Sequence, residues 1–136
     1  MALGDLTGKG ELLVGRYGVA PGLINVPGLK ANSISKQLVN VIEGDQVVEM
    51  FNVPSPKAVK IDVEGFEYSV VRGLQKTLNH PSCRMVCCEV HPFMLPEGIT
   101  ANDVTDLLGS CGFNYIDKFP RDETFHVLCY KNPPAK

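Results

Sequence analysis

The chain has 136 residues, which is the size of one domain with a substantial hydrophobic core. Its composition is that of a soluble globular protein, with 44% hydrophobic and 21% charged residues. The net charge of -2 excludes the basic surface typical of nucleic-acid binding, and no stretch approaches the roughly 20 apolar residues of a membrane span. We therefore expect neither a nucleic-acid partner nor a membrane partner.

Residues 1–57 form a glycine-rich N-terminal segment, with seven glycines in the first 28 positions. Apolar and β-branched residues predict short strands at residues 11–14 and 38–42, separated by turns and loops. Residues 46–51 fit either a strand or a short helix, and Asp45 as a helix cap favours the helix. No phosphate-binding glycine motif follows a predicted strand, so we assign the glycines to turns.

The strongest local pattern covers residues 59–78. A β-branched run predicts a strand over residues 59–63, ending in the two carboxylates Asp62 and Glu64, and Gly65 then turns the chain. In open α/β sheets, ligands bind at the carboxyl ends of the strands, where these carboxylates would lie. The following helix is predicted from apolar residues at four-residue spacing, namely Phe66, Val70, Leu74 and Leu78.

The remainder of the chain predicts a second buried strand, then a helix, and then two further strands. Residues 84–90 are almost continuously apolar, as expected for a strand covered on both faces, and they lead to Glu89 and His91. Thr100 and Asp103 resemble a capping box at the start of the next helix. The last two strands, at residues 113–117 and 124–130, are too close for a helical crossover and should pair as an antiparallel hairpin.

From residue 58 the predicted element order is therefore β-α-β-α-β-β. We expect a single domain over residues 1–136, with an α/β core at residues 58–131 and a frayed tail at residues 132–136.

The cysteines indicate a reducing compartment. Their number is odd, two are adjacent and several fall in predicted strands, which is typical of buried thiols in a cytoplasmic protein, with disulfides as the alternative. No C-x-x-C pair is present, so a zinc site of that type is not expected. The five residues are Cys83, Cys87, Cys88, Cys111 and Cys129.

Several sequence words resemble one methyltransferase family. The word V-K-I-D-V-E-G-F-E at residues 59–67, followed by V-V-R-G-L at residues 70–74, resembles the FkbM-family signature K-I-D-V-E-G-x-E-x-x-V-L-x-G. C-E-V-H at residues 88–91 is similar to the next strand of that family. A-L-G-D at residues 2–5 and V-I-E-G-D at residues 41–45 resemble segments that precede the signature. The resemblance extends through nearly the whole chain.

The resemblance implies an α/β fold with a partial Rossmann-like class I methyltransferase sheet that lacks the first two strands. It implies S-adenosylmethionine as cofactor and a small-molecule or sugar hydroxyl as methyl acceptor, although most of the cofactor pocket belongs to the missing strands. Asp5 corresponds to a position near the adenine end of the cofactor. Losing two central strands exposes a sheet edge, so we expect a homo-oligomer or pairing with a missing N-terminal half.

The predicted site lies where the two parallel strands end. If these strands are neighbours, Asp62 and Glu64 approach Glu89 and His91. We predict Asp62 and His91 as the acid–base pair that activates the acceptor, with Glu64 and Glu89 placing the substrate. The same groups, in particular Asp62, Glu89 and His91, are also of the types that hold a divalent cation.

Each of these residues also has a purely structural interpretation. Glu64 is suited to cap the following helix, Asp62 to pair with Lys60, and His91 to lie in a solvated turn before Pro92. For the chain as a whole, the alternative to an enzyme is a non-catalytic remnant that acts as an oligomerising or partner-binding module. A metal-dependent hydrolase is a third interpretation, without an H-x-x-x-H spacing to support it.

Overall fold

The computed structural model describes residues 1–15, 22–23 and 33–131. This part of the chain forms an α/β structure with two four-stranded sheets. The predicted tail at residues 132–136 and parts of the glycine-rich segment lie outside the described residues.

The first sheet is built from the N-terminal segment. Its strand order is β1-β4-β2-β3, with β1 parallel to β4, and β2 antiparallel to both β4 and β3. β2 and β4 are longer than the strands predicted at residues 11–14 and 38–42, whereas β1 and β3 lie where the sequence predicted turns and loops, because pairing with distant strands decides these segments. The strands are β1 Ala2–Gly4, β2 Gly8–Gly15, β3 Gly22–Leu23 and β4 Ser33–Glu43.

The second sheet has the order β5-β6-β8-β7 and carries the predicted site. β5 runs parallel to β6, whereas β8 is antiparallel to both β6 and β7. The predicted element order from residue 58 and the closing antiparallel hairpin are confirmed. The strands are β5 Ala58–Ile61, β6 Met85–Val90, β7 Tyr115–Arg121 and β8 Thr124–Tyr130.

Within the described residues, four α-helices and one 3-10 turn lie between strands. The helix predicted after Asp45 is present, and the capping box of Thr100 and Asp103 is confirmed by its two reciprocal hydrogen bonds. The helices are α1 Gly44–Met50, α2 Glu67–Gly73, α3 Gln75–Asn79 and α4 Ala101–Ser110, and the 3-10 turn is Pro92–Met94.

The strand predicted at residues 113–117 is displaced towards the C-terminus and begins at Tyr115. Phe113 packs in the core with 1% of its surface exposed, after Gly112 has turned the chain with a positive φ of 84°. The strand continues through Pro120, which a sheet tolerates at its edge, and β7 is the edge strand.

The helix predicted over residues 66–78 is divided at Leu74, and Asp45 is the reason. The Asp45 side chain does not cap its own helix. Its carboxylate instead accepts hydrogen bonds from the backbone N–H groups of Lys76 and Thr77 and from the Thr77 hydroxyl. A carboxylate on the first N–H groups of a helix stabilises that N-terminus, so Asp45 caps α3 from a distant part of the chain.

The hydrophobic core lies between the second sheet and helices α2 to α4. Apolar side chains of the central strands meet the apolar stripes of the helices, in agreement with the predicted periodicity. Its fully buried members are Val71, Leu78, Cys83, Val86, Cys88, Val90, Val104, Leu108, Cys111, Val127 and Cys129.

No disulfide forms among the five cysteines, and four of them are buried in this core. Burial raises the pKa of Cys88, and that of Cys129 to about 12, because a thiolate loses its hydration there. We therefore expect Ellman's reagent at pH 8 to modify one thiol per native chain, the half-buried Cys87. Cys87→Ser should abolish the fast reaction and Cys129→Ser should leave it unchanged; two or more fast thiols would contradict this burial.

None of the helices in the described ranges has the length and apolar character that crossing a membrane requires.

Candidate functional site

The parallel pairing of β5 and β6 places Asp62 and His91 at the same edge of the second sheet. Ile61, the last residue of β5, lies opposite Cys88 of β6. Asp62 directly follows β5, and His91 directly follows β6. The expected approach of these two strand ends is therefore present in the structure.

A tight turn after β5 positions Glu64. Glu64 has a φ of 51° and Gly65 a φ of 92°, so two successive residues have left-handed backbone conformations. A Cβ atom on Gly65 would overlap the backbone carbonyl of Met94. Only glycine allows this close approach, which packs the turn carrying Glu64 against the 3-10 turn that follows His91.

His91 is held by a buried carboxylate. The ring is 6% exposed, and its Nδ1 donates a hydrogen bond of 2.7 Å to Oε1 of Glu67. Glu67 is fully buried, and the same oxygen accepts a hydrogen bond of 2.9 Å from the Gly65 backbone N–H. Because Nδ1 is occupied by Glu67, the ring orientation is fixed and Nε2 is the nitrogen left to act.

Nε2 of His91 faces carboxylates from the other site residues. It lies 3.4 Å from Oε2 of Glu64 and 3.9 Å from Oε1 of Glu89. One ligating atom each from Asp62, Glu64 and His91 lie within 4.8 Å of one another. Three of the four predicted site residues thus form one cluster, which we call the rim cluster: Asp62, Glu64 and His91.

Glu89 borders the rim cluster but is engaged elsewhere. Its carboxylate accepts hydrogen bonds from His126 at 2.9 Å and Thr124 at 3.0 Å, and Arg121 lies 3.5 Å away. The hydrogen bond from His126, followed by that from Thr124, holds the pKa of Glu89 below its ordinary value. These contacts favour a positioning role for Glu89. The cation-binding set expected from the sequence was Asp62, Glu89 and His91, whereas in the structure Glu64 takes the place of Glu89 beside Asp62 and His91.

The structural roles that the sequence suggested for Asp62, Glu64 and His91 agree with the observed contacts to different extents. Asp62 does pair with Lys60, at 2.6 Å, but its side chain is 34% exposed and remains accessible. Glu64 does not cap α2, because its carboxylate accepts no hydrogen bond from the first N–H groups of that helix, whose N-cap residue is Phe66. His91 is buried rather than solvated.

Asp5 takes a different partner from the other predicted site residues. It lies in the turn after β1, and its carboxylate is 3.5 Å from the guanidinium of Arg72 on α2. The pair connects the first sheet to the helix that follows the rim. A contact of Asp5 with a cofactor remains a prediction.

A cleft of about 490 Å³ adjoins the rim cluster. Residues of β1 and β2 form one wall, and residues 59–64 of β5 and its exit form another. Asp62 and Glu64 belong to both the cleft and the rim cluster, so a molecule in the cleft can reach the strand ends. The lining of the cleft as a whole is mostly apolar and includes Leu3, Leu12, Ile61, Phe66, Val70 and Leu74.

Glu67 is the site residue that pattern reasoning overlooked. The sequence pattern gave Glu67 no role, yet its side chain is completely buried beneath His91. The available signal was its presence in the quoted word D-V-E-G-x-E, where it stands two residues after the glycine turn. A carboxylate at that spacing can reach back to the backbone of the turn, as the Gly65 bond shows.

Chemically, the rim combines an oriented imidazole with accessible carboxylates beside a ligand-sized cleft. An imidazole and carboxylates in this arrangement can accept a proton, hold a hydroxyl by hydrogen bonds or bind a cation. Clefts of roughly 300 to 1,000 Å³ are typical of small-molecule sites.

Comparison with known proteins identifies similar sequences. The family described as "Methyltransferase FkbM domain" matches residues 4–115. A curated relative, "Hexuronic acid methyltransferase AglP" of Haloferax volcanii, is 36% identical over 99 residues, which are 72% of this chain. The chain spans 38% of the length of that relative. No solved structure matches the chain.

Proposed function

The chain belongs to the FkbM methyltransferase family, and from this premise we propose that it provides the acceptor side of an S-adenosylmethionine-dependent O-methyltransferase. The observation that carries the proposal is the rim cluster beside the cleft, with His91 held by buried Glu67. We propose a sugar hydroxyl as the methyl acceptor, since the curated relative is named for hexuronic acid.

Methyl transfer to an oxygen requires that the acceptor be held in one orientation and lose its proton. Asp62 and Glu64 are accessible from the cleft and can accept hydrogen bonds from sugar hydroxyls. His91 and Asp62, the pair expected from the sequence, act on the reacting hydroxyl, and Glu67 fixes the His91 ring. Fixed orientation of this kind accounts for a large part of the rate gain in group transfer.

The walls of the cleft suit the adenosyl part of the cofactor. Leu3, Leu12 and Phe66 provide apolar surface for an adenine ring, and the cleft volume of about 490 Å³ is adequate for a molecule of this size. When bound, S-adenosylmethionine supplies an electrophilic methyl group on its sulfonium. The class I sheet implied by the resemblance belongs to the same proposal, supported by the strand order β5-β6-β8-β7.

An exposed aromatic side chain next to the rim supports a carbohydrate acceptor. Phe93 lies in the 3-10 turn directly after His91, and 73% of its surface is exposed. The face of an aromatic ring is a suitable surface for the apolar side of a sugar ring. An exposed phenylalanine beside polar groups therefore combines the two kinds of contact that a sugar offers.

Calorimetric titration with S-adenosylhomocysteine tests the cofactor part of this proposal. We expect the chain to bind it saturably but weakly, because the resemblance assigns most of the cofactor pocket to strands other than those of this chain. Leu3→Trp, which places a larger side chain in the cleft wall, should weaken binding at least tenfold. Leu6→Trp is the matched control, because Leu6 is 75% exposed in the turn after β1 and should bind like the wild type.

The acceptor part is tested by transfer of labelled methyl from S-adenosylmethionine to uronic acid sugars. Transfer to these sugars, but not to deoxy analogues that lack the reacting hydroxyl, is the expected result. Absence of S-adenosylhomocysteine binding at millimolar concentration, together with a stable oligomer in solution, would instead support the non-catalytic alternative.

A further inference from the structure

The rim carries more negative than positive charge. Four carboxylates lie at or next to the rim cluster. The cations that pair with them are Lys60 and Arg121, whose side chains are 65% and 62% exposed. Solvated cations compensate buried negative charge only weakly. The four carboxylates are those of Asp62, Glu64, Glu67 and Glu89.

Glu67 provides an independent sign that positive charge is missing. Its side chain is completely buried, and its Oε2 has no hydrogen-bond partner among the described residues. A buried carboxylate with an unpartnered oxygen is costly, and a cation held by the imidazole that Glu67 contacts would lower this cost through the charge that it adds nearby. Its other oxygen fixes His91, whose Nε2 faces Glu64.

The pattern formed by these groups is that of a metal ligand with its supporting carboxylate. Histidine ligands commonly donate their second N–H to a carboxylate, which fixes the tautomer and directs the free nitrogen to the metal. Here Glu67 occupies Nδ1, and Nε2 faces the carboxylates of the rim. The separation of 3.4 Å between Nε2 and Glu64 is close to the spacing of two ligands on one ion.

We propose that Asp62, Glu64 and His91 bind one divalent cation, with Glu67 as the residue that positions His91. Two carboxylates and one imidazole suit Mn²⁺ or Zn²⁺ better than Ca²⁺, which prefers oxygen alone. The three ligating atoms lie within 4.8 Å of one another. They need to approach one another by about an ångström before a single ion between them can contact all three at roughly 2.0 to 2.2 Å.

The cation would explain how an acidic rim accepts an acidic sugar, an argument that rests on the function proposed above. Carboxylates alone repel the carboxylate of a uronic acid. Three protein ligands leave coordination positions open, and an ion there can bind the sugar carboxylate and a neighbouring hydroxyl together. With the ion bound, Nε2 of His91 is a ligand and not the base, and His91 acts on the reacting hydroxyl through the ion, because a metal-bound hydroxyl gives up its proton to water more readily.

Binding of Mn²⁺ to the chain, followed by electron paramagnetic resonance without cofactor or sugar, tests the site. We expect one Mn²⁺ per chain, displaced by Zn²⁺. The double variant Asp62→Asn/Glu64→Gln should weaken binding at least a hundredfold. Glu67→Gln, which keeps the shape but not the charge of the side chain, should weaken it about tenfold, as expected for a supporting residue.

The matched control is Asp106→Asn/Glu97→Gln, which removes one aspartate and one glutamate that are exposed and outside the rim. This variant should bind Mn²⁺ as the wild type does, and circular dichroism should show the native fold in all variants. Absence of saturable binding to the wild type, or equal weakening by the rim and control variants, would overturn the proposal. Because no methyl transfer is measured, failure of the metal site and failure of the proposed function give different results.

Discussion

On the function proposed here, replacement of His91 by asparagine is expected to lower the rate of methyl transfer on the order of a hundredfold or more, because the rim loses the nitrogen proposed to act on the acceptor. Asparagine is the informative choice. Its amide can occupy the place of Nδ1 and keep the hydrogen bond to buried Glu67, so the protein retains its buried contact. The group removed is Nε2, which lies 3.4 Å from Glu64.

Labelled methyl transfer to a uronic acid sugar measures this effect, and urea unfolding measures the accompanying change in stability. His80→Asn serves as the control, since His80 is exposed and bonded to Ser82 at the end of α3. The control should keep full activity. The double variant Asp62→Asn/His91→Asn should have no more activity than the single variant with the larger defect, and near-normal turnover by this double variant would contradict the assigned site.

The arrangement around His91 illustrates how the fold makes such a site rigid. The ring is fixed from the buried side by Glu67, which is itself bonded to the Gly65 backbone. Gly65 in turn packs against the carbonyl of Met94 in the turn after His91. The two loops that carry the rim are therefore coupled by direct contacts, so that a group held by one is aligned with a group held by the other.

The central part of the fold and all three residues of the rim cluster were predictable from local pattern. The β-branched run before Asp62 and the glycine turn indicated a strand followed by a helix, and the apolar run before His91 indicated a second buried strand. Parallel pairing of those strands then required that Asp62 and His91 share an edge. Each step depends on residues close together in the sequence.

The features that escaped prediction depend on residues far apart. Glu67 was given no role, because periodicity cannot show that an ionisable side chain is buried beneath an imidazole from another strand. The break at Leu74 follows from Asp45, which is 31 residues away from the Lys76 N–H that it binds. The strands β2 and β4 extend beyond the predicted segments because their antiparallel pairing continues from Gly8 and Val41 to Gly15 and Ser33, which local sequence pattern does not show.

The contact between the first sheet and α2 leads to the second large expected effect, on stability. Gly73 is the last residue of α2, and a Cβ atom there would overlap the backbone carbonyl of Gly4 in β1. It would also lie 3.2 Å from the backbone nitrogen of Gly44. Since backbone atoms cannot move aside as a flexible side chain can, Gly73→Ala should destabilise the protein by about 3 kcal/mol.

The midpoint of urea unfolding measures this change, and Gly109→Ala supplies a control of the same chemical type. Gly109 lies within α4 and has open space around the position of a Cβ atom. Alanine there should stabilise the protein by roughly 0.5 to 1 kcal/mol, because it favours the helix more than glycine does. Opposite signs for the two substitutions would show that close approach of β1 and α2 requires glycine at position 73. Equal, small effects would mean that this approach is looser than the structure indicates. The cleft, whose walls include Leu3 of β1 and Val70 of α2, would then be less well defined as well.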